Sequence, residues 1–209
     1  MDYTILVLAI CFIISLLIAI TFIKLKRKKF IKLNSLLIEQ NYQQFDSEIN
    51  SLQTKFFFNK HEKLTFLINR ALMTENESEI NNLIEVAIKN KMSNNKLTYL
   101  LMGSFNYYIS KKNQKQSSML LDLIKKHGNA KIIEEAEIMY SIYILKNDNY
   151  LEILLDRIEE RDVAYRGVDE FLISEIYKNK NEHKLAKKYE DLAKEHLEML
   201  DKMLSQKHK

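Results

Sequence analysis

The chain has 209 residues, no proline, no tryptophan and only three glycines, with 46% hydrophobic and 29% charged residues. A chain this poor in Gly and Pro lacks the turn residues of sheets and of enzyme loops and reads as helical throughout. The net charge is +4. Six basic residues against Asp2 in the first 32 positions account for +5, so the rest stands at −1 and shows no basic stripe of the kind nucleic-acid binding needs.

Residues 4–23 carry no charge, and Lys24, Lys26, Arg27, Lys28, Lys29 and Lys32 follow at once. A helix rises about 1.5 Å per residue, so this run matches a bilayer core of about 30 Å. The opening Met1-Asp2-Tyr3 has no cation and the run ends in a basic cluster rather than a small-residue cleavage site, so it reads as an anchor and not a cleaved signal. The positive-inside rule then places the N-terminus outside and the body in the cytoplasm. The expectation is a single-pass protein of a bacterial cell membrane. The abundance of Lys, Asn and Ile suggests an AT-rich genome. The six basic residues either set topology alone or also touch anionic lipid. Cys11, Ser15 and Ala19 share one helix face, and small residues at this spacing allow close helix packing, which makes a homodimer through the span a further expectation. Cys11 is the single cysteine, so no disulfide or Cys-based zinc site forms within one chain.

Along the body, polar breaks recur near Asn41, Glu75-Asn76, Asn113, Asp148-Asn149 and Asn181, about 34, 38, 35 and 33 residues apart. Such a period marks stacked helical hairpins. The predicted pairs are 28–40 with 43–54, 58–73 with 77–90, 95–111 with 115–127, 130–146 with 150–160, and 163–178 with 182–204. Leu64, Leu67, Ile68, Ala71 and Leu72 carry helical apolar spacing, and Met119, Leu120, Leu123 and Ile124 do the same. Gly128, after Lys125-Lys126-His127, reads as a helix stop. The domains expected are an anchor over 1–27, a repeat body over 28–204 and a frayed tail over 205–209.

In the last pair, Ile173-Ser174, Tyr177, Asn181, Ala186 and Ala193 stand in the spacing of small and aromatic residues typical of crossing helices. The body resembles the tetratricopeptide repeat, which places Leu-Gly, Tyr, Gly, Ala and Ala at these points. Tyr42 and Tyr150 keep the family's aromatic after the turn in the first and fourth units, while its tryptophan and closing proline are missing. The resemblance implies an all-α chain: a transmembrane helix followed by about five antiparallel hairpins stacked as a solenoid with a concave surface for protein ligands. Asn69 falls on one of the family's groove positions, and Thr65, Gly103, Tyr107, Ile138, Ile142, Phe171 and Glu175 on others. The cations of the family's carboxylate clamp are absent, so the groove is expected to take an apolar or mixed segment. Asn69, Tyr107, Phe171 and Phe57 are the expected partner-binding residues. Phe56-Phe57-Phe58 reads either as a seam filler or as a docking patch.

Sites of chemistry are not apparent. None of His61, His127, His183, His196 and His208 lies three residues after a Glu, and no glycine-rich loop is present. Asp156, Glu159, Glu160 and Asp162 interleave with Arg157 and Arg161 and read as a solvated face. Tyr107-Tyr108, Tyr140 and Tyr143 read as core or groove lining. The sequence therefore points to a non-enzymatic adaptor without cofactor or metal, holding a cytoplasmic protein partner at the bilayer. The alternatives are a subunit of a larger membrane complex, or an immunity or regulatory protein acting on a membrane target.

Overall fold

The computed structural model describes the backbone of residues 3–207 and the side chains of residue 3, residue 8 and residues 10–206. Within them there are eleven α-helices, one π turn, one 3-10 turn and no strand. Two compact units, residues 1–92 and 93–209, divide the chain.

The first unit begins with α1 (Tyr3–Ile38), one unbroken helix through the basic cluster. α2 (Tyr42–Asn50), α3 (Leu52–Phe57), α4 (Lys60–Met73) and α5 (Glu77–Lys89) follow. The last turns of α1 bury Leu33, Leu36 and Leu37 against Phe45, Ile49, Phe58 and Phe66. Phe66 is the centre of this core, with the rings of Phe30, Phe45 and Phe58 at 5.4, 6.5 and 5.7 Å. Arg70 on α4 ties its neighbours together, with Nε 2.7 Å from Asp46 on α2 and a bond to Glu79 on α5 of 3.2 Å.

Membrane anchoring, the first element of the expected fold, is corrected here. Among the described residues no helix is long and apolar enough to cross a membrane. The uncharged run of α1 ends at Lys24, and Lys26 and Arg27 follow on the same unbroken helix. Its C-terminal end is also engaged by the protein itself, since Phe22 lies 5.7 and 5.3 Å from the rings of Phe56 and Phe57. The single-pass location, its orientation and the cytoplasmic placement of the body fall with the span. Met1 and Asp2, expected outside the membrane, and the side chains of residues 4–7 and 9 lie outside the described residues.

The second unit contains α6 (Asn94–Ser110), α7 (Gln114–His127), α8 (Ala130–Tyr140), a π turn (Ser141–Leu145), α9 (Leu151–Glu160), a 3-10 turn (Val163–Tyr165), α10 (Gly167–Asn179) and α11 (His183–Lys207). α6 packs on α7, α7 on α8, α9 on α10 and α10 on α11. Ile138, Ile142, Leu154, Ile173 and Ile176 form its core, with Tyr143, Tyr150, Tyr177 and Tyr189 against it. Burial, with the charge of Glu175 adding, pushes the Tyr143 hydroxyl up to about 12. Ile138 and Ile142 are thus core rather than groove. The side-chain amide of Asn179 donates to the Ile142 carbonyl at the π turn, 2.8 Å away. α11 continues helical to Lys207, into the tail expected to fray, and His208 and Lys209 lie outside the described residues.

A common turn closes the hairpins. Gln40, Glu75, Lys112 and Asn181 take left-handed backbone with φ of 57°, 53°, 54° and 60°. At the first, Gln40 N–H donates to Leu37 O and Asn41 N–H to Leu36 O, the paired bonds of a Schellman stop. The same pair recurs at Glu75-Asn76, Lys112-Asn113 and Asn181-Glu182. Asn41, Asn76 and Asn113 each then cap the next helix, accepting from Gln44, Glu79 and Gln116 N–H. Four residues after Asn41, Asn76, Asn113 and Glu182, the side chains of Phe45, Ile80, Ser117 and Ala186 are buried where each second helix begins. Gly128 does end α7, but in extended backbone; a Cβ there would stand 2.7 Å from the Ile124 carbonyl oxygen.

Ala186 and Ala193 on α11 are buried, as is Ser174 on α10, and the Tyr177 and Tyr189 rings stack at 5.6 Å. A Cβ on Gly167 would meet Leu197 at 2.7 Å, so the two helices also approach closely at their far end. Ala186→Leu should overpack this pair and cost about 1–3 kcal/mol, read as a lower urea midpoint. Hydrogen exchange should accelerate first over 163–204, and an unchanged midpoint would show that Ala186 has room.

Candidate interaction surface

Three residues of one aromatic run are set in three environments by the short helix α3. Ser51 ends α2 in extended backbone and caps α3, its hydroxyl accepting from Thr54 N–H at 3.3 Å. The Thr54 hydroxyl, fully buried, donates to the Glu48 carbonyl at 2.6 Å. This turn fixes the rotation of α3. Phe58 then points into the core, Phe57 is half-buried and Phe56 is 74% exposed. Phe58 thus fills a seam of the first unit, while Phe56 faces water.

Opposite α3 lies the face of α1. A trough of about 770 Å³ runs between them, walled by Leu25, Ile31, Leu52, Phe56 and Phe57 and edged by Lys28 and Lys32. A second hollow of about 380 Å³ shares Leu25, Phe56 and Phe57 and extends the trough up α1 past Phe22 and Ile18 to Leu17. Beyond it, the described side chains at 10–20 are all exposed, including Cys11, Ser15 and Ala19, which share a face of α1. The Ser15 hydroxyl donates to the Phe12 carbonyl of its own helix.

The basic cluster divides in two. Lys29, 6% exposed, donates to Glu48 and to the Ser51 hydroxyl at 3.1 Å, and Lys32 also pairs with Glu48. Lys26 pairs with Glu62 on α4 at 2.7 Å. These three bind α1 to its own unit. Lys24, Arg27 and Lys28 remain exposed. Hydrogen bonds from Lys29 and then Lys32 hold the Glu48 carboxyl below its ordinary 4.5.

Apart from Ile138 and Ile142, the expected groove residues fall on α4 of the first unit and on α6 and α10 of the second. Asn69 and Thr65 are half-buried on α4, and Thr65 donates to the His61 carbonyl. Tyr107 on α6 packs edge-on to Tyr108 at 5.1 Å under the Lys111 ammonium. Gly103 is exposed on the same helix, and Phe171 is exposed on α10. Glu175 pairs with Lys178 at 2.8 Å. Of the four partner-binding candidates only Phe57 belongs to the trough. Phe56 stands in the aromatic run already singled out, whereas Leu25, Ile31 and Leu52 of the trough carry no such signal in the sequence. The signal for Phe56 was the Ser51-x-x-Thr54 cap before the aromatic run, which phases α3.

The arginines of the acidic run turn inward: Arg157 pairs with Glu134 at 2.6 Å, and Arg161 lies 2.7 Å from the buried Asp169. Burial raises the Asp169 carboxyl above its ordinary value, against the pull of Arg161 and Arg157. His196 Nδ1 and Glu170 meet at 2.7 Å between α10 and α11. Tyr140 lines a small hollow of about 280 Å³ with Leu121, Lys125, Glu137 and Ser141. Among the described residues no group of three His, Cys, Asp or Glu side chains is placed to hold a metal ion.

Compared with known proteins, the chain matches no family model, no curated protein and no solved structure. The tetratricopeptide resemblance therefore stands on its residues alone.

Because the Glu48 carboxyl is held low, its bonds contribute stability that is complete above about pH 4.5 and is lost as pH falls through the depressed value. Glu48→Gln should cost about 1–3 kcal/mol at pH 7, since it leaves the Lys29 ammonium under-partnered in the interior. Urea midpoints at pH 7 and pH 4 check this: the variant should lose part of the acid sensitivity of the parent, and equal sensitivity would exclude Glu48 as its source.

Proposed function

We propose that the protein works by binding, as a protein-interaction adaptor whose helical hairpins support the trough between α1 and α3. The observation that carries this is the apolar surface formed by residues 10–23 of α1 with Leu52 and Phe56, exposed throughout. Water-exposed apolar patches of this extent mark interaction sites. A membrane-holding role is not part of this reading, because among the described residues no helix is long and apolar enough to cross a membrane. We read the hairpins as a divergent tetratricopeptide-like set. The turns at Gln40, Glu75 and Lys112, 35 and 37 residues apart and found again at Asn181, and the small buried Ser174, Ala186 and Ala193 support that reading. The polar clusters of both units are ion pairs and caps that complete the fold, which supports a role without a chemical step.

A second reading has its own support. The apolar exposure along α1 is of the kind buried for good in obligate interfaces, which favours a permanent subunit of a larger complex. Affinity capture with the full chain tests both. Phe56→Glu should reduce the retained partner by about tenfold or more, the size expected for an anchoring aromatic, while Phe171→Glu and Tyr107→Glu leave it unchanged. The opposite pattern would move the site to the family's groove positions. A stoichiometric partner surviving 1 M salt would decide for the subunit.

A further inference from the structure

We infer that the occupant of the trough is an amphipathic helix of another protein, about four turns long and acidic at its N-terminal end, lying antiparallel to α1; this rests on the interaction reading above. Among the α1 residues that line the trough, Ile18, Thr21, Leu25, Lys28 and Lys32 form a central row spaced alternately three and four apart, flanked by Leu17, Phe22, Lys29 and Ile31. That is the seam of a heptad helix, which accepts the knobs of a second helix along its length. Phe56 and Phe57 on α3 form the second wall, so the site is a groove for a helix and not a flat face. From Leu17 to Lys32 it measures about 22 Å, or about four helical turns.

The groove is charged at one end only. Its upper part, from Leu17 to Leu25, is lined by apolar side chains and Thr21. Its lower part is edged by Lys28 and Lys32, beside the exposed Arg27. Glu48 offsets Lys32, whereas no ion pair to Lys28 is present among the described residues. A complementary occupant carries acidic residues there, and acidic residues are favoured in the first turn of a helix, where the macrodipole is positive. This sets the direction: the occupant's N-terminus lies at Lys28 and its chain runs toward Leu17. A second copy does not meet the requirement. In a parallel pairing the α1 helices bring two basic clusters together, and in an antiparallel one the uncharged N-terminal half faces Lys28.

The test uses the full chain and labelled synthetic peptides of about sixteen residues, with leucine at the heptad seam and two glutamates in the first turn. An isomer of the same composition carries the glutamates in the last turn. The acid-first peptide should bind about tenfold tighter at low salt, and the difference should shrink as salt is raised. Lys28→Glu should remove the preference. Phe56→Glu, or Leu52→Glu if that variant misfolds, should abolish both complexes. Equal binding of the isomers, or a preference that survives Lys28→Glu, overturns the inference and leaves the docking face standing. Binding of neither peptide, with partner capture still sensitive to Phe56→Glu, overturns the helical occupant alone. If capture is indifferent to Phe56 as well, the interaction reading falls too. Uptake by phosphatidylcholine vesicles that the acid-first peptide does not compete, or a dimer in sedimentation that this peptide does not dissociate, assigns the groove to another occupant and overturns it.

Discussion

One carboxylate, Glu48, takes hydrogen bonds from Lys29 and Lys32 of α1 while its backbone carbonyl takes the hydroxyls of Ser51 and Thr54. The side chain fixes how α1 is rotated over α2, and the carbonyl fixes where α2 stops and α3 starts. The trough depends on both. Rotating α1 by one residue would turn Leu25 away from Phe56 and bring a cation into the apolar wall. Moving the start of α3 by one residue would exchange Phe56 and Phe57. A partly buried ion pair is a poor source of net stability, because desolvation offsets much of the attraction. Here its value is positional, since it selects one register of two helices whose apolar faces would tolerate several.

The hairpin turns were legible in the sequence because their chemistry is local. Asn41, Asn76 and Asn113 are both the second residue of a helix stop and the cap of the next helix, and an Asn between two apolar periodicities announces both. Ala186 and Ala193 were legible for the same reason, as small residues at helical spacing. The fourth pair was harder. α8 passes into a π turn at Ser141–Leu145, which shifts the phase of every later side chain, and no residue type marks such a turn.

The candidate surface was only partly legible. The basic cluster reads as one block in sequence, yet on a helix its members point in different directions, and their roles depend on Glu48 and Glu62, which lie 16 to 36 residues away. A charge count cannot separate Lys29, sealed inside, from Lys28, facing water. Two of the groove positions implied by the family resemblance, Ile138 and Ile142, lie in the core of the second unit, because they pack against Leu154, Ile173 and Ile176, whose proximity no local pattern announces.

The left-handed turn residues carry a mechanical consequence. Gln40, Glu75, Lys112 and Asn181 all bear a Cβ, which confines them to a small island of backbone space, where glycine would roam widely. Each turn is strained by about 1 kcal/mol, and in exchange it is stiff. The angle between the two helices of such a hairpin is set by a narrow well rather than a broad one. Ser51 and Phe58, which bound α3, stand instead in extended backbone, which any residue adopts without strain. The wall of the trough is held at both of these ends, Ser51 by its bonds to Glu48 and Lys29 and Phe58 by burial beside Leu33 and Phe66, so α3 offers Phe56 to an occupant in a preset position.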